Sequence, residues 1–135
     1  MVGEFQIGTR GKGLSDITGD IEHFVLESGV SDGLCTVFIR HTSASLTIQE
    51  NADPSVKRDL EQWLSRLVPE DDPLYTHTSE GPDDMPAHIK GALTSTSIGI
   101  PIIDSRLALG TWQGVYLWEH RARAHTRRIA VHIGS

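Results

Sequence analysis

The chain has 135 residues and a formal net charge of −6, which fits one domain with a core large enough to need no disulfide or metal staple. The acidic balance argues against nucleic acid or an anionic membrane as the main partner, because both call for a basic face. No run reaches the ~18 apolar residues of a membrane span, and residues 1–7 lack the charged start and apolar stretch of a secretory signal, so a cytoplasmic location is the default expectation.

Residues 4–10 alternate apolar and polar, as a half-buried strand does, and Gly11-Lys12-Gly13 breaks the pattern. Thr18 as N-cap predicts a helix over about 19–28, with Ile21, Phe24 and Val25 on one face and Gly29 just past its end. Glu22, His23 and Glu27 then form its solvated side. Residues 34–49 are rich in β-branched side chains and predict either one long bent strand or two strands meeting at 41–45. Cys35, the only cysteine, lies in the apolar part of that run and reads as a buried thiol. Bulk gives way to hydroxyls at His41-Thr42-Ser43. Two readings follow: a ligand-facing pocket with His41 at its lip, or a histidine hydrogen-bonded within the sheet.

Asp53 as N-cap and Pro54 at the first helical position start a second helix, which runs to about Leu67 along a stripe of Val56, Leu60, Trp63, Leu64 and Leu67. Trp63 reads as core packing. After an acidic turn at 70–73 comes the most unusual stretch, 75–90, in which His77, Glu80, Asp83, Asp84 and His88 crowd around Gly81, Pro82 and Pro86. A loop has no packing reason to gather such side chains, whereas a site that binds a cation or moves protons does. The stretch ends in the first turn of a short helix that continues beyond His88. Residues 98–103 read as a strand that Pro101 places at an edge or bulge, followed by a turn at 104–106 and the segment Leu109-Gly-Thr-Trp-Gln-Gly114. Residues 115–118 and 127–133 give the last two strands. In the final one Ile129, Val131 and Ile133 face one way and Arg128, Ala130 and His132 the other. The order predicts a single α+β domain over 1–135, a mixed or antiparallel sheet covered by helices.

His41-Thr-Ser-Ala-Ser-Leu46, Glu50-Asn-Ala-Asp-Pro54, His77 with Glu80-Gly81, 83–90, 109–114 and Glu119-His-Arg121 together resemble the YjbQ family, in that family's order and over nearly the whole chain. The resemblance implies a small α+β domain that assembles as a homotrimer. It also implies a secondary thiamine-phosphate synthase activity, a transferase reaction coupling pyrimidine pyrophosphate and thiazole phosphate precursors. The family's histidines fall on His41, His77 and His88, its acidic positions on Glu80, Asp84 and Glu119, and its Gly-Thr-Trp-Gln segment on Gly110, Thr111, Trp112 and Gln113.

Three imidazoles from separate segments suit a catalytic-type zinc better than a structural one, because they leave a fourth position for water or substrate; the other reading is a metal-free, hydrogen-bonded histidine cluster. Displacing pyrophosphate requires stabilisation of negative charge. A metal at His41, His77 and His88, the cations Lys90, Arg106 and Arg121, and backbone N–H groups at Gly110 and Thr111 are the candidates, with Ser43 lining the pocket. Glu80, Asp84 and Glu119 are candidates for holding His N–H groups or moving protons. Trp112 stacks on a flat heterocycle or packs in the core. The basic run Arg121, Arg123, Arg127, Arg128 grips phosphates or makes subunit salt bridges, the latter favoured for the last two. Besides the transferase, the residues admit a metal- or phosphometabolite-binding module without significant turnover, and a structural trimer whose histidines only pack.

Overall fold

Every strand pairing in the chain is antiparallel. In the computed structural model, which describes residues 1–135, the elements run β1 (Val2–Gly8), β2 (Gly13–Asp16), α1 (Thr18–Ser28), β3 (Gly33–Ile39), β4 (Ala44–Glu50), α2 (Pro54–Leu67), α3 (Asp84–Leu93), β5 (Ser97–Ile103), β6 (Arg106–Leu107), β7 (Gln113–Glu119) and β8 (Thr126–Gly134). They form a five-stranded sheet ordered β1-β8-β3-β5-β6 and a three-stranded sheet ordered β2-β7-β4. This is the expected α+β class. The sheet is not mixed, and it is split in two.

The main core lies between the sheets and α1: Cys35, Val37, Ile129, Val131 and Ile133 from the large sheet meet Leu46, Val115 and Leu117 from the small one and Ile21 and Val25 from the helix. A second cluster of Leu64, Val68 and Trp118, joined by Leu60 and Ile89, packs α2 and α3 on the other face of the small sheet. β7 is therefore covered on both sides, which explains why residues 114–120 are all buried instead of alternating. The outer face of the large sheet stays open, and Val2, Leu34 and Phe38 are exposed on it.

Several local expectations hold. Asp53 accepts from Ser55 N at 2.9 Å and Pro54 opens α2; Gly29 closes α1 in the left-handed region, φ 69°. Residues 34–49 form two strands that break at His41. Others need correction. Thr18 is the first residue of α1 and not its cap, because its hydroxyl accepts from Val115 N (2.9 Å) while Asp16 Oδ1 accepts from Thr18 N. Trp63 is exposed: the face that packs is Leu60, Leu64 and Val68, and Trp63 falls to one side of it. Arg127 is neither a free phosphate ligand nor an interface cation, since it shares the inward face of β8 with Ile129 and is 3% exposed. The turn at Asp104 and Ser105 has φ of 50° and 65°, and it pairs Ile103 with Arg106 as a two-residue hairpin.

Candidate metal centre

Gly81, at φ 103°, turns the loop before α3 so that His77 comes back over the first turn of the helix. Asp84 and His88 stand one turn apart on α3 and so share a face. His77 Nε2 lies 2.8 Å and His88 Nε2 3.3 Å from the same atom, Asp84 Oδ2. The two imidazole rings are 5.2 Å apart at 62°, and one ligand atom from each of the three residues falls within a 4.8 Å group.

The surroundings fix this geometry. Arg121 Nη1 donates to Asp84 Oδ1 at 2.9 Å, which leaves Oδ2 for the histidines. Arg121 is itself held by Asp83 Oδ2, which accepts from its Nε (2.9 Å) and from Ala122 N (2.8 Å), and by the Glu80 carbonyl, which accepts from its Nη2 at 2.9 Å. Burial opposes the charge on Asp83, but the hydrogen bonds from Arg121 and Ala122 outweigh it and hold the carboxyl at about 2. Asp84 is lowered in the same way, burial being overcome by the His77 hydrogen bond and by the charges of His88 and Arg121.

His88 Nδ1 lies 3.2 Å from the Thr42 carbonyl. A carbonyl only accepts, so Nδ1 carries the hydrogen and the neutral ring has its lone pair on Nε2. That lone pair faces a carboxylate oxygen at 3.3 Å, an arrangement that calls for a cation between them, either a second proton or a metal ion. A ligating histidine anchored through its other nitrogen by a backbone carbonyl is how proteins orient imidazole for metals. Two imidazoles and a carboxylate also match the donor set of catalytic zinc, with positions left open. His77 is about half exposed, so the open side faces solvent.

The other expected site residues lie elsewhere. His41 is outside the group: its Nε2 accepts from Arg128 N at 2.8 Å, so that lone pair is spent within the sheet. Burial, then the charges of Arg127 and Arg128, lowers its pKa. It shares with His88 a cavity of about 330 Å³. Glu119, 1% exposed, accepts from Thr9 Oγ1 (2.7 Å), Arg121 N (3.1 Å) and the Arg127 guanidinium, which also donates to Ser43 Oγ at 2.9 Å. Both its oxygens are engaged. Ser43 belongs to that closed network. Lys90 is buried with one long contact, to Ser65 Oγ at 3.4 Å, and burial lowers its pKa. Glu80 and Arg121 line a second cavity of about 670 Å³ together with Arg123. Gln113 opens β7, and Gly110, Thr111 and Trp112 lie just before it, at the opposite end of the strand from Glu119 and ~20 Å away at the rise of a strand. Arg106, in β6, belongs to that end too.

Asp83 stands in the crowded stretch and Thr42 in the hydroxyl run, but their parts, Asp83 as the anchor of Arg121 and the Thr42 carbonyl as the group that sets the His88 tautomer, were not read from the residues. The signal for Asp83 was its adjacency to Asp84 at a helix start; the role of a backbone carbonyl leaves no trace in sequence. His120 was also missed. It is fully buried, with Nε2 2.8 Å from Ser45 Oγ and Nδ1 without a partner, and burial, then the charge of Lys90, pushes its pKa down to about 3.

The family model described as UPF0047 protein YjbQ-like matches residues 3–135. The chain is 60% identical over 127 residues to the UPF0047 protein sll1880 of Synechocystis, covering 94% of this chain and 86% of that one. It is 41% identical to the UPF0047 protein YjbQ of Escherichia coli O157:H7, covering 91% and 89%. Among solved structures it is similar to an uncharacterized conserved protein of the yjbq/upf0047 family from Clostridium acetobutylicum, with TM-score 0.90, 41% identity and 97% and 98% of the two chains covered. A hypothetical protein from Aeropyrum pernix, APE1520, has TM-score 0.90 at 26% identity, with 100% and 98% covered.

Proposed function

The chain belongs to the YjbQ-like UPF0047 family, and from that premise we propose that it binds a divalent metal, zinc by its donor set, through His77, Asp84 and His88, and uses the site on a phosphorylated small molecule in the cytoplasm. No helix is long and apolar enough to cross a membrane. The observation that carries the reading is the His88 ring, fixed by the Thr42 carbonyl with its Nε2 lone pair aimed at Asp84 Oδ2. When bound, zinc supplies a Lewis acid for developing negative charge on oxygen. Arg121 keeps Asp84 oriented and, with Arg123, gives the neighbouring cavity its cations. Glu80 is the carboxylate there with no side-chain partner, and it is the group that would take or return a proton at the cavity wall. Elemental analysis after zinc dialysis tests the metal: near-stoichiometric zinc in the native protein and none in His77→Ala or Asp84→Asn supports it, and no zinc in the native protein overturns it.

The finer reading is thiamine-phosphate synthesis. The thiazole nitrogen forms a bond to the pyrimidine methylene carbon as that carbon's bond to pyrophosphate oxygen breaks, and the electron pair leaves with the pyrophosphate. A second reading, a binding module without significant turnover, is favoured by the full engagement of Glu119, which removes one of the carboxylates a catalyst would use. Steady-state assay with both precursors separates them: rates far below the ~1 s⁻¹ of ordinary enzymes favour the module. We also take the working unit to be a homotrimer. The open outer face of the large sheet, with Val2, Leu34 and Phe38 exposed, supports association, and sedimentation equilibrium tests it.

A further inference from the structure

Trp112 is 63% exposed, yet the loop that carries it is not loose. Gly110 N donates to Gln113 Oε1 at 2.8 Å, Gln113 N to the Gly110 carbonyl at 3.1 Å, and Asn51 N to the Trp112 carbonyl at 2.9 Å. A large aromatic held out to solvent by a hydrogen-bonded turn is the form of an interface anchor, because its ordering cost is met before any partner arrives.

The charges at the two ends of β7 indicate the partner. The Trp112 end gathers Asp16, Asp20, Asp32, Asp53 and Asp104 against the cation Arg106, all exposed, and none of them is in an ion pair. The end that holds the metal group carries Arg10, Arg123 and Arg128, likewise exposed and without an ion pair, against the exposed, unpaired Glu80. The unpaired surface charge is thus in acidic excess at one end and in basic excess at the other, which favours head-to-tail over like-end contact between copies. At the basic end the cavity of about 330 Å³ beside His88 is lined by Gly91, Ala92 and Ala44 together with His41, Thr42 and Thr96. It is the size and make-up of a slot for an aromatic ring.

We infer that Trp112 of one copy of this chain inserts into the His41–His88 cavity of the next, so that each metal group is walled by a loop from a neighbouring subunit. This rests on the metal reading above and adds to it where the missing side of the site comes from. It also accounts for the ~20 Å that separates the Gly-Thr-Trp-Gln segment from the histidines within one chain: the two halves of the site meet between copies. The contact is heterologous, and it makes a closed ring when the rotation from copy to copy divides a full turn.

The test is site-directed cross-linking of two differently tagged chains, Trp112→Cys and Ala92→Cys, co-expressed and treated with a short bismaleimide. Cys35 is buried and stays out of the reaction, and both new cysteines replace exposed residues. The expected product is a linked pair containing one chain of each tag, with neither variant linking to itself when expressed alone. Absence of the mixed pair, or self-linking of Trp112→Cys, overturns the inference. A charge reversal, Arg128→Glu, is expected to shift the sedimenting species toward monomer, and an unchanged distribution counts against the head-to-tail contact. Zinc uptake is measured on the same samples: mixed pairs that form without zinc binding would sink the metal reading and leave the interface standing.

Discussion

Glu119 and Asp84 are carboxylates near the same end of the molecule, both almost out of solvent at 1% and 2% exposure and both in contact with an arginine. Their surroundings give them opposite uses. Around Glu119 every lone pair has a fixed donor from Thr9, Arg121 N or Arg127, and His41, beside Arg127, has a lone pair tied to the backbone. Around Asp84 one oxygen is clamped by Arg121 and the other is left to two imidazoles, one of them half in solvent. Burial with complete satisfaction makes a structural ion pair; burial with one oxygen left to movable protons makes a site. The same residue types, histidine, carboxylate and arginine, occur in both, and the count of fixed donors separates them.

Removing one partner of the closed pair gives the largest expected effect. Arg127→Met leaves the Glu119 charge buried and uncompensated, which costs ~3–5 kcal/mol, read as a drop in the urea midpoint at constant slope. The pH dependence follows the same pair. Glu119 has its folded pKa below the ordinary value, burial being outweighed by hydrogen bonds from Arg127 and Thr9. Its contribution is therefore present above the unfolded carboxyl pKa and is lost as pH falls through the folded one. Asp83, depressed to about 2, adds in the same direction between its ordinary 3.8 and about 2. Acid titration of the native protein should show stability falling below pH ~4, and a Glu119→Gln variant should start lower and lose less over that window.

The open group should respond in the other currency, metal affinity. Asp84→Asn is expected to abolish zinc uptake in equilibrium dialysis. Its stability cost is smaller than that of Arg127→Met, ~1–3 kcal/mol, because what it leaves behind is one arginine nitrogen with other acceptors close by. Asp83→Asn acts through Arg121 and should weaken zinc by ~10–100-fold, the usual cost of losing an outer partner. A merely structural role would leave the zinc isotherm unchanged at a temperature where the variant is folded.

How far the residues themselves revealed this contrast depends on which interactions each position uses. Asp53-Pro54 and Gly29 act within their own turn, and the sequence is sufficient to read them. Residues 75–90 show their chemistry because glycine, prolines and ligand-type side chains are crowded into one segment. Trp63 and Arg127 misled for one reason: helical and strand periodicity say that a residue lies on a stripe but not how wide the covering element is. α2 presents a narrow face to the small sheet, which excludes Trp63, while the inward row of β8 extends one residue past its apolar part to take in Arg127. β2 has four residues and no alternation to read; it exists because β7 needs a partner on that side. The grouping of Asp84 rather than His41 with His77 and His88 was beyond reach of spacing, since it turns on a backbone N–H of Arg128 taking the His41 lone pair.

His41 supplies the finest test of the comparison, and the smallest effect. With Nε2 accepting from Arg128 N, its replacement by Ala removes one partly exposed hydrogen bond, worth ~1 kcal/mol. Zinc affinity measured by competition with a chelator should stay within about twofold of native, because the three ligand atoms and the Thr42 carbonyl that orients His88 lie outside the deleted side chain. A loss comparable to that of Asp84→Asn would mean that His41 leaves the sheet to ligate when metal binds, and the line drawn between the closed and the open group would have to move to include it. An unchanged isotherm with a slightly lowered urea midpoint would keep His41 on the closed side, where its hydrogen bond already puts it.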